Sequence, residues 1–227
     1  MRFTVSFFAV VLVCIFGQTA SSQGACKSPE AATDRSTAWH GTALHRAVLE
    51  RNVPLARDLL TARADPNVKD NRGYPPLFAV LSLSSPEPDF SHRSRDAGLA
   101  HRDREQREKL TLFDLLLAAG ADASIRGPRG TTALHQATSP TGIMDASYAR
   151  KVITDLLRAA LDINAQDEAG FTALMNASVR DRADIVDLLL GGGARLDLRN
   201  CEGETALDIA RREKSVHVVA LLNGITR

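Results

Sequence analysis

The stretch that decides the fold is Asp167-Glu168-Ala169-Gly170-Phe171-Thr172-Ala173-Leu174-Met175, followed by Leu188-Leu189-Leu190-Gly191-Gly192-Gly193-Ala194-Arg195. Asp-x-x-Gly opens with a tight turn, because Asp bonds its own following backbone and Gly accepts a left-handed conformation. Thr172 then stands where a side-chain oxygen can take the unpaired N–H groups of a first helical turn. Leu174 and the small Ala177 make one apolar face, and the leucine run makes the stripe of a second helix. Gly193 supplies the residue that ends it. These residues predict a turn, a short capped helix, and a second helix antiparallel to the first.

The same signature recurs along the chain, as Thr42-Ala43-Leu44-His45, Pro75-Pro76-Leu77-Phe78, Thr132-Ala133-Leu134-His135 and Thr205-Ala206-Leu207-Asp208. Alanine follows each signature leucine by three residues at Ala47, Ala137, Ala177 and Ala210, with Val80 as the exception. The closing signature recurs at Leu59-Leu60 to Ala64-Asp65, Leu115-Leu116-Leu117 to Gly120-Ala121-Asp122, and Leu156-Leu157 to Leu161-Asp162. Successive signature leucines are 33, 57, 40 and 33 residues apart. A fixed period with two signatures in register marks a stacked repeat protein.

At these residues the chain resembles the ankyrin-repeat family, whose units pair Thr-Pro-Leu-His-x-Ala with Leu-Leu-x-x-Gly-Ala-Asp. The resemblance implies an all-α solenoid of about five helix-turn-helix units with short β-turn fingers, spanning residues 36–225. The units run over about 38–69, 70–126, 127–166, 167–199 and 200–225. The two middle intervals exceed the period by 24 and 7 residues, placing one insertion at 84–104 and a short one near 139–147. Both fall between the two helices of their unit. From Asp96 onward the pairs Asp103/Arg107, Arg104/Glu108 and Glu105/Lys109 are spaced i,i+4, so the second helix of that unit is expected to be extended by polar, exposed turns through Ala118. Asp145 is placed to cap a helix through Tyr148, Val152 and Leu156. Arg63 and Ala160 stand where the helix-ending glycine is expected, so those ends should be strained or differently shaped, and His40 stands where glycine is usual, which suits a terminal, atypical repeat.

Arg2 is the only charge before an apolar run from Phe3 to Phe16, and Gly17 to Ser22 follow as small or polar residues. This is the order of a secretory signal peptide over residues 1–22, with a tail over 23–35. The apolar run of about 14 residues is short of the roughly 20 that a spanning helix needs. The alternatives are a short membrane anchor, or a lipid anchor at Cys26. The expectation is a secreted or periplasmic protein, in a bacterium, with no stable membrane insertion after cleavage. Cys26 and Cys201 survive cleavage, and a bridge needs Cα atoms within about 7 Å. One precedes the first unit and the other lies in the last, so two free thiols or one intermolecular bridge is expected.

A net charge of +1 exerts no global attraction for nucleic acid, and none is expected as a partner. No catalytic motif stands out. Gly191-Gly192-Gly193 lies at a helix end, whereas phosphates bind helix starts. His92 and His101 lack metal-ligand spacing. The expectations are therefore no enzyme activity, no cofactor, no metal and a monomer. His45 and His135 belong to the repeat signature, where the resemblance assigns them to bonding neighbouring turns.

Ankyrin proteins bind through turn tips and first helices, which form a concave face. Aligned on that pattern, the tip positions are Asn71, Arg72 and Tyr74; Pro128, Arg129 and Thr131; Glu168, Ala169 and Phe171; and Cys201, Glu202 and Glu204. Tyr74, Phe171, Arg72 and Arg129 are types enriched at binding hot spots. Three functions remain open. One is a protein-binding module outside the cytoplasm, which stabilises an exported enzyme or neutralises a toxin as an immunity protein. The others are a catalytic or metal-dependent protein built on the repeats, and a lipid-anchored structural protein.

Overall fold

The computed structural model describes residues 41–82, 95–139, 146–159 and 161–225, without the side chains of 95–102 and 146–147. The signal and tail, His40, His92, Cys26, Asp145, Ala160 and the first part of the larger insertion lie outside these residues, as does the side chain of His101.

Ten α-helices follow one another among the described residues, with no strand. They are α1 (Ala43–Leu49), α2 (Val53–Thr61), α3 (Pro76–Ser82), α4 (Arg95–Ala118), α5 (Ala133–Thr138), α6 (Ala146–Arg158), α7 (Ala173–Val179), α8 (Ala183–Gly191), α9 (Ala206–Arg212) and α10 (Val216–Ile225). The odd-numbered helices stack on one another in order, the even-numbered helices stack beside them, and each pair is packed internally. The array is thus two helical layers deep, with its apolar core between them and between units.

The first helices are only six or seven residues long, too short to persist alone. Caps and packing hold them. Thr42, Thr132, Thr172 and Thr205 are N-caps whose hydroxyls accept from the backbone N–H three residues on. Pro75 takes that position in the second unit, where only its carbonyl serves, accepting from Phe78 N at 2.9 Å. The signature leucines Leu44, Leu77, Leu134 and Leu174 are buried, as are Ala47, Ala137, Ala177 and Ala210. Helix α8 buries the stripe Ile185, Val186 and Leu189, whereas α2 fully buries only Ala56, with Leu59 and Leu60 packed partly buried against the core.

The helix ends share one hydrogen-bond pattern. At the end of α8, Ala194 N donates to Leu189 O at 3.0 Å and Gly193 N donates to Leu190 O at 3.0 Å, with Gly193 at φ +92°. Crossed bonds of this kind close a helix when one residue enters the left-handed region. Gly120 does the same after α4, and Arg63 after α2 at φ +64°, the strained end that the sequence predicts. The turns inside units 1, 4 and 5 repeat the motif with Arg51, Asp181 and Lys214 in the left-handed region. Those three positions were not anticipated.

The extended helix α4 differs from expectation in one respect. Arg104 and Glu108 pair at 2.9 Å as the spacing predicts. Glu105 and Lys109, however, are buried rather than exposed. Helix α4 packs against α2, and Arg51, in the turn just before α2, forms an ion pair with Glu105. This face of the extension is therefore an interface with unit 1. Burial, followed by repulsion from Arg51, lowers the pKa of Lys109.

Leu174 is 1 % exposed at the centre of the array, so Leu174→Ala should cost about 2–5 kcal/mol. A urea melt matching the unmodified chain would show that this leucine is not core. In contrast, Arg63→Gly should raise stability by about 0.5–1 kcal/mol, because glycine removes left-handed strain but loses some of that gain to a freer unfolded chain. The same urea melts report its sign.

Candidate protein-binding surface

Between units the chain folds into short turns, here called fingers. Finger 1 is Asp70–Tyr74, finger 2 is Gly127–Thr131, finger 3 is Asp167–Phe171 and finger 4 is Asn200–Glu204. Each is closed by a bond from its first N–H to its last carbonyl, at 2.8, 2.8, 3.0 and 3.0 Å. In finger 3, Asp167 Oδ1 accepts from Ala169 N and Phe171 N at 2.9 Å each. Asp70 and Asn200 do likewise in their fingers. Finger 2 has no such acceptor, because Gly127 replaces it. It forms a 3₁₀ turn over Pro128–Gly130 instead, with Arg129 at φ +57°. Gly127 has a packing role of its own, since a Cβ there would meet Phe78 Cε1 at 2.7 Å.

The fingers are bonded to one another. Glu168 N donates to Arg129 O at 2.9 Å, and Cys201 N donates to Ala169 O at 3.0 Å. The residue preceding each finger adds a second link. Lys69 Nζ donates to Arg126 O at 2.8 Å, one guanidinium nitrogen of Arg126 to Gln166 O at 3.0 Å, and Gln166 Nε2 to Arg199 O at 2.8 Å. The approach is close enough at finger 3 that a Cβ on Gly170 would lie 2.9 Å from Asn200 Cα and Cys201 N. This ladder was missed in the sequence, although a long polar side chain before every finger was there to be read.

Histidines tie the first helices to the fingers. Thr132 N–H donates to His135 Nδ1 at 3.2 Å, so that nitrogen is an acceptor and the ring proton sits on Nε2, which donates to Phe171 O at 2.8 Å. His45 makes the equivalent bonds to Thr42 N and Tyr74 O, the turn-bonding role expected of both. In the last unit Asp208 Oδ2 accepts from Thr205 N at 3.0 Å and replaces the histidine at the cap.

The profile for ankyrin repeats in three copies matches residues 143–226, and that for a single ankyrin repeat matches residues 40–71. The chain belongs to the ankyrin-repeat family. Among its relatives is the ankyrin repeat domain-containing protein SAT10 of Stachybotrys chartarum, 43 % identical over 83 residues, which are 36 % of this chain and 4 % of that protein. The neurogenic locus notch homolog protein 1 of Homo sapiens is 29 % identical over 170 residues, 74 % of this chain and 5 % of that protein. Its Xenopus laevis counterpart is 30 % identical over 171 residues, 74 % of this chain and 6 % of the relative. The chain therefore spans only a small part of these relatives' length. Ankyrin repeats are typically non-catalytic and mediate protein–protein interaction. Among the described residues no group of three His, Cys, Asp or Glu is arranged to hold a metal ion.

On this ankyrin array the tip residues fall into two groups. Asn71, Arg72, Arg129, Glu168, Ala169, Cys201 and Glu202 are exposed. Tyr74, Pro128, Thr131, Phe171 and Glu204 are half-buried and engaged with the array. The Tyr74 ring packs on Phe78 with centroids 6.2 Å apart, and Thr131 Oγ1 donates to Pro128 O at 2.9 Å. Phe171 packs against the core, and Glu204 pairs with Arg212 at 2.6 Å. The expectation of a free thiol at Cys201 is corrected. Cys201 is disulfide-bonded, and its partner lies outside the described residues. Separation along the sequence did not bear on the distance in space that a bridge requires.

His135 gives the array a pH dependence. Burial is the largest influence and lowers its pKa below the usual 6.5, with the Phe171 bond acting in the opposite direction. The folded state thus holds the ring neutral while the unfolded chain takes a proton below about pH 6.5. This contribution to stability is present above that pH and is lost as pH falls through the depressed folded value. Urea midpoints measured at neutral pH and at successively lower values should show a decline that is smaller in His135→Gln, which has no titrating ring. Equal declines in both proteins would remove His135 as the source.

Proposed function

We propose that this ankyrin array works outside the cytoplasm, secreted or periplasmic, as a binding module for another protein held across its finger tips and first helices. The observation that carries the reading is the bonded row of fingers. Backbone and side-chain bonds fix four adjacent tips in register, so one partner meets several at once without ordering them first. Such preorganisation removes part of the entropic cost of association. The location is supported by the charge, apolar run and small-residue exit of residues 1–22. It is also supported by the disulfide at Cys201, since such bonds persist in oxidising compartments. Among the described residues no helix is long and apolar enough to cross a membrane.

The test is cross-linking and affinity capture of the tagged chain from the exported fraction of its host. Its intact mass should lack about the first 20 residues. A partner enriched with the unmodified chain should be lost at least tenfold when Arg129, Glu168 and Glu202 are changed together to Ala, and largely kept when Ser91–Arg104 is deleted. Retention of Phe3–Phe16 in a membrane fraction would overturn the location. A partner that survives the tip changes but not the deletion would move the site to the insertion.

A further inference from the structure

The finger row is not evenly charged. Lys69, just before finger 1, and Arg72 at its tip are exposed, and so are Arg126 and Arg129 at the equivalent places of finger 2. The two fingers are in contact: Lys69 Nζ reaches Arg126 O, and a Cβ on Gly73 would lie 3.5 Å from Pro128 Cγ. None of these four cations forms an ion pair among the described residues.

The only acid within the two fingers is Asp70, and its Oδ1 is occupied by the N–H groups of Arg72 and Tyr74. Finger 2 has no acid, with glycine at position 127. The far end is different. There Glu202 and Glu204 share Arg212 at 3.4 and 2.6 Å, and Arg199 lies 3.9 Å from Asp208. Charge is paired internally at finger 4, whereas the four cations of fingers 1 and 2 have no acid paired with them among the described residues.

Two of these cations, Lys69 and Arg126, are also held in place. Arg126 donates to Gly130 O at 2.9 Å and to Gln166 O at 3.0 Å. Those carbonyls fix the guanidinium without cancelling its charge. Fixed guanidinium groups favour planar, paired contacts with carboxylates. We propose that the edge formed by Lys69, Arg72, Arg126 and Arg129 docks an acidic polypeptide segment, with Arg72 and Arg129 pairing its carboxylates. This rests on reading the fingers as a protein-binding surface. A nucleic acid suits the edge less well, because single strands need exposed rings for stacking and Tyr74 is turned against Phe78.

The probe is fluorescein-labelled octaglutamate, followed by anisotropy with the full chain. Binding should saturate at low salt and weaken at least tenfold by about 0.3 M salt, where surface charges are screened over a few ångströms. Arg72→Glu with Arg129→Glu should weaken it at least tenfold. Arg150→Glu with Arg158→Glu makes the same change in net charge on α6, away from the fingers, and should alter it less than threefold. No binding at low salt, or equal losses in the two double variants, would overturn the proposal. So would duplex DNA that binds more tightly than octaglutamate with the same dependence on Arg72 and Arg129. If octaglutamate fails while a captured partner still depends on the tips, only the acidic chemistry falls and the binding surface stands.

Discussion

A pair of short helices with a single apolar side can bury it only against another such pair. Everything else in this chain follows from that constraint. Leu44, Leu77, Leu134 and Leu174 are buried because a neighbouring unit covers them, and alanines at the following positions let the layers approach. Apolar contact is non-directional, so it would tolerate sliding between units. Polar bonds remove that freedom. A histidine Nε2–H reaching the last carbonyl of the following finger, at 2.9 Å from His45 and 2.8 Å from His135, accepts one spacing and rejects others. The link from each pre-finger side chain to the next repeats the restriction on the solvent side.

Much of the fold was legible because its signals are local. A threonine followed three residues later by a free backbone N–H is a cap in any context, and the array uses four of them. The helix extension on α4 was legible for the same reason, through charges spaced along one helix. What was not legible depends on residues distant in sequence. Glu105 reads as an exposed helical acid until Arg51, 54 residues earlier, is seen to meet it. Arg51, Asp181 and Lys214 enter the left-handed region because the two helices of a unit must turn back sharply, a demand of the packing that their own side chains do not announce. Cys201 reads as isolated because a bridge is set by distance in space.

The candidate surface shows the same division. The tip positions follow from the repeat pattern, and the exposed ones, Arg72, Arg129, Glu168 and Glu202, stand where it puts them. The aromatic tips do not stand free. Tyr74 and Phe171 lend their backbone carbonyls to the histidines, which draws their rings toward the array. Residues with the composition of a hot spot are here partly structural, and the side chains left exposed around them include the charged Arg72, Arg129, Glu168 and Glu202.

The connection between α3 and α4 has one more implication. The spacing of the units is set by bonds among fingers and by packing between like helices, and α5 packs on α3 as α3 packs on α1, although Leu134 follows Leu77 by 57 residues and Leu77 follows Leu44 by 33. Length at that point is therefore decoupled from the pitch of the solenoid. A lineage can add or exchange material there without renegotiating the geometry of any neighbour, whereas one residue added to a finger would throw every later rung out of phase. The same asymmetry marks where an engineer can graft a tag, a sensor or a second recognition element, and where the frame forbids it.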